Sequence, residues 1–225
     1  MSDAAVDDIW AVSQEAVNRS GWLVDRVLAA PRTAGLVARA LDPTACWAGA
    51  TFDLLQPNEA SRIGPADLLA AALVGAPPSA LAVRHLLDPV VARRLDAHLR
   101  AIPADVDLWS APGRVLDAAA ELWSALQEAD GIGLVRATKL PARKRPRLVP
   151  LLDPTGATLL GLPPGAHWAT LRAVLADAGR RSRLEALRPP GAGAHPAPLR
   201  LFDLAVWAAA GGGRRDRTGT VPGPP

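Results

Sequence analysis

The sequence has few of the residues from which disulfides and metal centres are built. Cys46 is the only cysteine, which excludes an intramolecular disulfide and a cysteine-rich metal site. The four histidines do not pair at metal-ligand spacing, and even His85 and His98 are thirteen residues apart (98 − 85). We therefore expect neither a metal nor a cofactor.

Strand-forming residues are also scarce. There is no tyrosine, and Phe52 and Phe202 are the only phenylalanines, so the alternation of β-branched and aromatic residues that marks strands is weak. Ala, Leu and Val instead repeat at helical spacing. We predict a mainly α fold, with one all-helical domain over residues 1–210 and a disordered tail over 211–225, where glycine, arginine and proline replace apolar residues.

Long apolar runs and known catalytic loops are missing as well. The longest apolar stretches fall short of a membrane span, and the acidic N-terminus lacks the basic and apolar pattern of a signal peptide. We expect a cytoplasmic protein with no membrane contact. No serine nucleophile elbow, phosphate-binding Walker loop or dinucleotide glycine pattern occurs, and oligomeric state is not predicted by any feature.

What the sequence does contain is an uneven distribution of charge. Residues 1–130 hold ten basic and seventeen acidic residues, a balance of −7, whereas residues 131–225 hold fifteen basic and five acidic, a balance of +10. Six cations and no acid lie between positions 136 and 147: Arg136, Lys139, Arg143, Lys144, Arg145 and Arg147. This asymmetry predicts either a basic face that meets a polyanion or a solvated, arginine-rich helical surface.

A glycine turn immediately precedes this basic stretch. Gly131, Ile132 and Gly133 separate a strongly helical segment that ends near Ala129 from a second short helix, and we place the two-helix unit at about 114–142. The glycines allow close backbone approach, and the N–H groups that begin the second helix form a ready anion site. An ordinary helix–helix turn would show the same glycines.

The segment resembles the helix-hairpin-helix element, which grips a nucleic-acid backbone phosphate. Its pattern of an apolar residue, Gly-apolar-Gly and a later alanine is filled by Leu126, Gly131–Gly133 and Ala137, although Asp130 stands where that family often has proline. The resemblance implies a duplex DNA partner held by the turn and by the basic stretch.

A second resemblance extends to Asp153. In the endonuclease III-like DNA glycosylases an Asp follows the second glycine by about twenty residues after an apolar lead-in, and here 153 − 133 = 20 with the lead-in Val149–Leu152. The resemblance implies that Asp153 is catalytic. The bifunctional members carry a Schiff-base lysine where this chain has Val135, and the iron–sulfur members need four cysteines. The ARKRPRLVP segment (142–150) also looks like one from an uncharacterised family of high-GC bacteria, which implies no activity.

The sequence leaves three functions open. The first is a protein that binds duplex DNA through the hairpin and the basic stretch; the second is a monofunctional DNA glycosylase that uses Asp153. The third is a helical scaffold whose basic stretch meets an acidic protein or RNA. Asp153 precedes Pro154 and could equally cap a helix. By residue type alone, Trp109, Trp123, Trp168 and His167 are candidates for a base pocket.

Overall fold

Twelve α-helices and a 3-10 helix form the part of the chain that the computed structural model describes, which comprises residues 10–44, 48–128, 132, 134–192 and 195–212, with no strand among them. In chain order the helices are α1 Gln14–Ala29, α2 Thr33–Leu41, α3 Ala48–Leu54, α4 Pro65–Leu73, α5 Ala80–Leu86, α6 Pro89–Ala101, η1 Leu108–Ser110, α7 Gly113–Gln127, α8 Leu134–Lys144, α9 Pro154–Leu159, α10 His167–Leu175, α11 Ala178–Glu185 and α12 Pro198–Ala209. The mainly α prediction is confirmed.

The core is organised around α12. Nine of its residues are buried, including Phe202 and the charged pair Arg200 and Asp203. The helix packs against α1, α2, α9 and α11, and one apolar cluster runs from Val24 to Val206. Because a single core joins the helices, the described residues form one domain.

The first helix differs from its prediction. The sequence predicts two helices, over 3–19 and 22–30, with a break at Ser20 and Gly21, but α1 runs through both residues without interruption. Both are buried against the second half of the chain: Ser20 Oγ donates to the carbonyl of Gly161 at 3.3 Å, and the Arg180 guanidinium lies against Gly21. A small residue here serves helix packing, which overrides its low helix propensity.

The sequence also predicts helix starts at Pro65, Ser79 and Asp88, where proline or a capping residue precedes an apolar repeat, and the structure confirms them. Ser79 caps α5, where its Oγ accepts from Ala82 N–H at 3.1 Å. Asp88 caps α6 in the same way, and Pro65 and Pro89 stand in the first turns of α4 and α6. Polar caps and first-turn prolines act locally, so they can be identified without knowing the tertiary fold.

The two helices of the predicted hairpin, α7 and α8, pack against each other. Between them, Gly131 and Gly133 lie outside the described residues, whereas Ile132 is described and buried. The second helix runs through Pro141 and ends at Lys144, slightly past the predicted end of the two-helix unit at about 142. As a result, most of the basic stretch belongs to a helix that faces the core.

No helix among the described residues is long and apolar enough to span a bilayer. The same part of the chain holds no group of three or more His, Cys, Asp or Glu side chains that could bind a metal ion. The proposed tail falls mostly on residues 213–225, outside the described range.

Candidate functional site

A cavity of about 370 Å³ opens beside α7 and α8, within the size range of small-molecule sites. Its walls come from α7, α8, the segment 150–154 and the start of α10, together with Trp10 from the N-terminal segment. Its lining is largely aromatic and apolar, and the polar side chains in it are Thr138, Asp153 and His167. The complete lining consists of Trp10, Ala120, Trp123, Thr138, Pro150, Leu152, Asp153, Pro154, Ala157, Gly165, His167 and Trp168.

Asp153 both caps a helix and lines this cavity. Its backbone is extended, and its Oδ1 accepts a hydrogen bond of 2.7 Å from Gly156 N–H at the start of α9. The residue is nevertheless exposed, and Pro154 occupies the first turn as predicted for a cap. The two interpretations of Asp153 are therefore compatible, because capping engages one carboxylate oxygen and fixes the group at the cavity wall.

The lead-in to Asp153 is held from two sides. Leu148 and Val149 are buried, and their N–H groups donate to the carbonyl of Arg145 at the end of α8. Leu151 N–H donates to Oδ2 of Asp203 on α12 at 2.9 Å. These contacts fix the backbone that carries Asp153 relative to both α8 and α12.

The aromatic side chains that sequence reasoning selected are brought together with one exception. Trp123, Trp168 and His167 line the cavity, whereas Trp109 lies 5.6 Å from the guanidinium of Arg181, away from it. Burial lowers the pKa of His167, which favours a neutral imidazole at the cavity wall. The indole nitrogen of Trp123 is shielded from solvent and has no hydrogen-bond partner among the described residues.

Trp10 was missed as a cavity residue. The sequence places it on the apolar face of a first helix, but it precedes α1 and reaches across to α7. Its Nε1 donates to Asp117 Oδ1 at 3.0 Å, and its ring borders both the cavity and a shallower groove between α6 and α7. No local signal could have revealed a contact between residues 107 positions apart.

Most of the basic stretch does not form the expected cationic surface. The side chains of Lys139, Arg143, Lys144 and Arg145 are buried, each with 5% or less of its surface exposed. Arg147 is partly exposed and pairs with Asp107 at 2.7 Å. The side chain of Arg136 lies outside the described residues.

The buried cations instead bind acids and carbonyls from distant segments. Arg143 and Lys144 share Oδ1 of Asp67 at 2.8 and 2.6 Å, and Asp67 Oδ2 in turn accepts from the backbone of Gly64 at the start of α4. Arg145 donates to the carbonyl of Ile102 at 2.8 Å and to that of Leu99, which satisfies the exposed carbonyl end of α6. These cations therefore stabilise helix ends, and their charges are paired with groups inside the protein and do not face solvent.

Lys139 is buried on α8 and interacts electrostatically with two acids, Asp153 and Asp203. Burial lowers the pKa of its ammonium group, while the negative charges of Asp153 and Asp203 oppose that effect. Asp203 is itself buried on α12, where burial raises its pKa to about 7 against the opposing charge of Arg200. Alternating charges therefore extend from the cavity wall into the core.

No curated protein and no solved structure matches the chain. A family model does match, and it covers residues 6–210, a range that includes all twelve α-helices of the fold. The chain therefore belongs to the family of unknown function DUF6308.

Proposed function

We propose that this protein binds duplex DNA, accepts a nucleobase turned out of the helix into the cavity, and hydrolyses its N-glycosidic bond with the help of Asp153. The observation that carries the proposal is the position of Asp153 at the wall of a tryptophan-lined cavity of about 370 Å³. The pattern Gly131–Gly133 and the twenty-residue spacing to Asp153 provide separate support from the sequence.

The lining of the cavity suits a flat heterocycle. Trp10, Trp123 and Trp168 provide aromatic surface against which a base can stack, and few polar groups interrupt it. Enzymes that act on a base must take it out of the stack, since its reacting bond is inaccessible within a duplex. A partly open cavity with aromatic walls meets both requirements.

Asp153 is placed to act on the sugar. As the C1′–N bond breaks, its electron pair leaves with the base and positive charge develops on the sugar, which a neighbouring carboxylate stabilises. Water then forms the new C1′–O bond and loses a proton to the carboxylate, while the departing base gains a proton from solvent. The products are a free base and an abasic strand.

Contact with the DNA backbone is assigned to the turn between α7 and α8. Backbone N–H groups at the start of a helix bind phosphate oxygens without needing side-chain charge. Lys139, Arg143, Lys144 and Arg145 take no part in this contact, because their side chains are buried. The same burial gives no support to a scaffold whose basic stretch meets an acidic protein or RNA, because Arg147 is the one cation of the stretch that is partly exposed among those the structure describes.

A DNA-binding protein without catalytic activity is the second candidate. The hydrogen bond from Gly156 to Asp153 favours it, because helix capping alone is a sufficient reason for an Asp at this position. In that case the cavity holds a base without cleaving it.

Base release from duplexes that each contain one damaged or mismatched base separates the two candidates. Hot alkali reveals the abasic sites, and Asp153→Asn is compared with Asp88→Asn, a matched change at the exposed cap of α6. Asn caps helices as well as Asp does, so both variants should fold. We expect Asp153→Asn to reduce release by on the order of a thousandfold and Asp88→Asn to leave it unchanged. If wild type and both variants release base only at the same background rate, the DNA-binding protein without catalytic activity is the candidate that remains.

The turn is tested by binding. Replacing Gly131 and Gly133 with bulky residues should weaken duplex binding more than neutralising Arg214 and Arg215 near the C-terminus. The reason is that positioned N–H donors contribute more than diffuse charge. Equal losses in the two variants, with helicity preserved by circular dichroism, would contradict a role for the turn.

A further inference from the structure

A cluster of largely buried charged side chains is formed by four helices. Arg200 on α12 pairs with Asp53 on α3 at 3.0 Å and with Asp203 at 2.9 Å. Arg143 and Lys144 on α8 pair with Asp67 on α4. The guanidinium groups of Arg200 and Arg143 lie 4.8 and 5.8 Å from the ring of Phe52.

Stability alone is a poor reason for such a cluster. Removing charged groups from water is costly, and apolar residues of similar volume often stabilise a core as well or better. The arrangement also leaves Oδ1 of Asp203 and one terminal nitrogen of Arg143 buried without partners among the described residues. What these charged side chains do provide is directional hydrogen bonding to the backbone of distant segments.

Asp203 forms such a directional hydrogen bond to the backbone. Its Oδ2 accepts from Leu151 N–H at 2.9 Å and from Arg200 at 2.9 Å. Leu151 lies two residues before Asp153, in the segment bracketed by Pro150 and Pro154. Within the described residues, the Leu151 amide is the only backbone N–H of positions 150–153 that donates a hydrogen bond. The Asp203 carboxylate is therefore the tether of this segment to the core.

We propose that Asp203 is a positioning residue: through Leu151 it holds the segment 150–153 so that Asp153 remains at the cavity wall. This inference rests on the proposed function for the meaning of that position, but the tether itself can be tested without any activity. Arg200 belongs to the same unit, since it binds Asp203 and reaches toward the carbonyl of Ala142 on α8 at 3.4 Å. One guanidinium group thereby joins α12 to α8, the helix that precedes the segment.

Lys139 extends the unit toward the cavity. It is buried on α8 and interacts electrostatically with both Asp153 and Asp203. A cation that attracts both carboxylates offsets their mutual repulsion, so an ionised Asp203 can hold the segment without driving Asp153 away. The wall of the cavity and the buried cluster are thus electrostatically coupled.

Amide hydrogen exchange on the full chain tests the tether, with Asp203→Ala and Asp203→Asn compared with Asp67→Ala. Asp67 is the matched control, because it is similarly buried and pairs with Arg143 and Lys144, and none of its hydrogen bonds or ion pairs within the described residues involves residues 150–153. Exchange is measured above pH 7, where the Asp203 carboxyl is ionised. A hydrogen bond to a charged group contributes enough that its loss should then speed exchange at Leu151 by about tenfold to a hundredfold. We expect that increase in Asp203→Ala, a smaller one in Asp203→Asn, which keeps an acceptor oxygen, and none in Asp67→Ala.

Activity separates this proposal from the proposed function. If the wild type releases a base, Asp203→Ala should lower kcat with little change in KM, and Asp203→Asn should restore part of kcat. Equal exchange at Leu151 in wild type and Asp203→Ala, or a similar increase in Asp67→Ala, would overturn the positioning role even where base release is found. If exchange responds as expected but no base is released, the tether stands and the glycosylase proposal fails.

Discussion

The indole nitrogen of Trp10 donates a hydrogen bond of 3.0 Å to Oδ1 of Asp117, which joins the segment before α1 to the middle of α7. Ala120, one turn further along α7, borders the same cavity as the Trp10 ring. This hydrogen bond between residues 107 positions apart therefore fixes one wall of the cavity.

A double-mutant cycle measures this contact. Trp10→Phe and Asp117→Ala each remove one partner, and a partly buried hydrogen bond to a carboxylate should give a coupling free energy of about 1 kcal/mol in unfolding experiments. The same cycle with Asp105, an exposed acid with which Trp10 makes no hydrogen bond, should give additive effects. Additivity in both cycles would show that the bond contributes nothing to stability.

Two glycines that lie within helices should respond to alanine in opposite ways. At Gly21 an added Cβ would stand 2.7 Å from a terminal nitrogen of Arg180, which two hydrogen bonds of 3.0 and 3.1 Å hold on Asp25. At Gly35 no atom lies within 4 Å of the added carbon. We expect Gly21→Ala to destabilise by about 1–3 kcal/mol and Gly35→Ala to stabilise by about 0.5–1 kcal/mol, measured by urea unfolding.

If Gly21→Ala proved neutral, Arg180 would have room to move and would not restrict α1. Packing against Arg180 would then no longer account for the glycine in the middle of a continuous helix. Circular dichroism on both variants controls for a change in helix content.

The sequence could predict those helix ends that depend on contacts within one turn of the chain. Ser79, Asp88 and Pro65 act within one turn of their own position, so their roles could be predicted without the fold. The continuity of α1 through Gly21 depends on Arg180, which lies 159 residues away (180 − 21), and could not. Local physics determines helix starts, whereas helix interiors with small residues depend on their tertiary partners.

The candidate site shows the same division. The spacing pointed to Asp153, and residue type pointed to Trp123, Trp168 and His167, which the fold brings to one cavity. The basic stretch misled because its partners are far away in sequence: Asp67 lies 76 residues before Arg143. A run of cations predicts a charged surface until the acids and carbonyls that bind it are known.

The buried carboxyl of Asp203 predicts a pH dependence of stability. Burial raises its pKa to about 7, above the ordinary value of 3.8 that applies in the unfolded chain. The folded state therefore binds a proton that the unfolded state has lost between about pH 4 and pH 7, and stability falls as pH rises through this window. A shift of this size corresponds to on the order of 4 kcal/mol across the window.

Urea unfolding at pH 5 and pH 7.5 checks this prediction when wild type is compared with Asp203→Asn. The comparison is needed because His167, whose pKa burial lowers, contributes a trend of opposite sign below its ordinary value of 6.5. That trend is common to both proteins and cancels in the difference. We expect wild type to lose more stability than the variant; equal losses would mean that Asp203 stays ionised throughout.

The last prediction concerns the product of base release. The strand should remain intact until alkali is added, because nicking by β-elimination requires an amine that forms an imine at C1′ of the abasic sugar. The sequence pattern predicts that Val135 stands at the position that this amine has in the bifunctional glycosylases. The chain has only two lysines, and Lys139, one helical turn after Val135, is buried and does not line the cavity, whereas its neighbour Thr138 does.

Borohydride trapping on a duplex with a preformed abasic site tests this directly, since reduction converts an imine into a stable protein–DNA adduct. We expect no adduct and no strand cleavage beyond the uncatalysed rate. An adduct formed by wild type and lost in Lys139→Met would contradict the prediction. It would also identify the buried lysine as a nucleophile, because an amine whose pKa is lowered by burial is more often neutral and able to attack. An adduct that persists in Lys139→Met would point to another amine, such as Lys144 or the N-terminus, and would contradict the prediction in the same way.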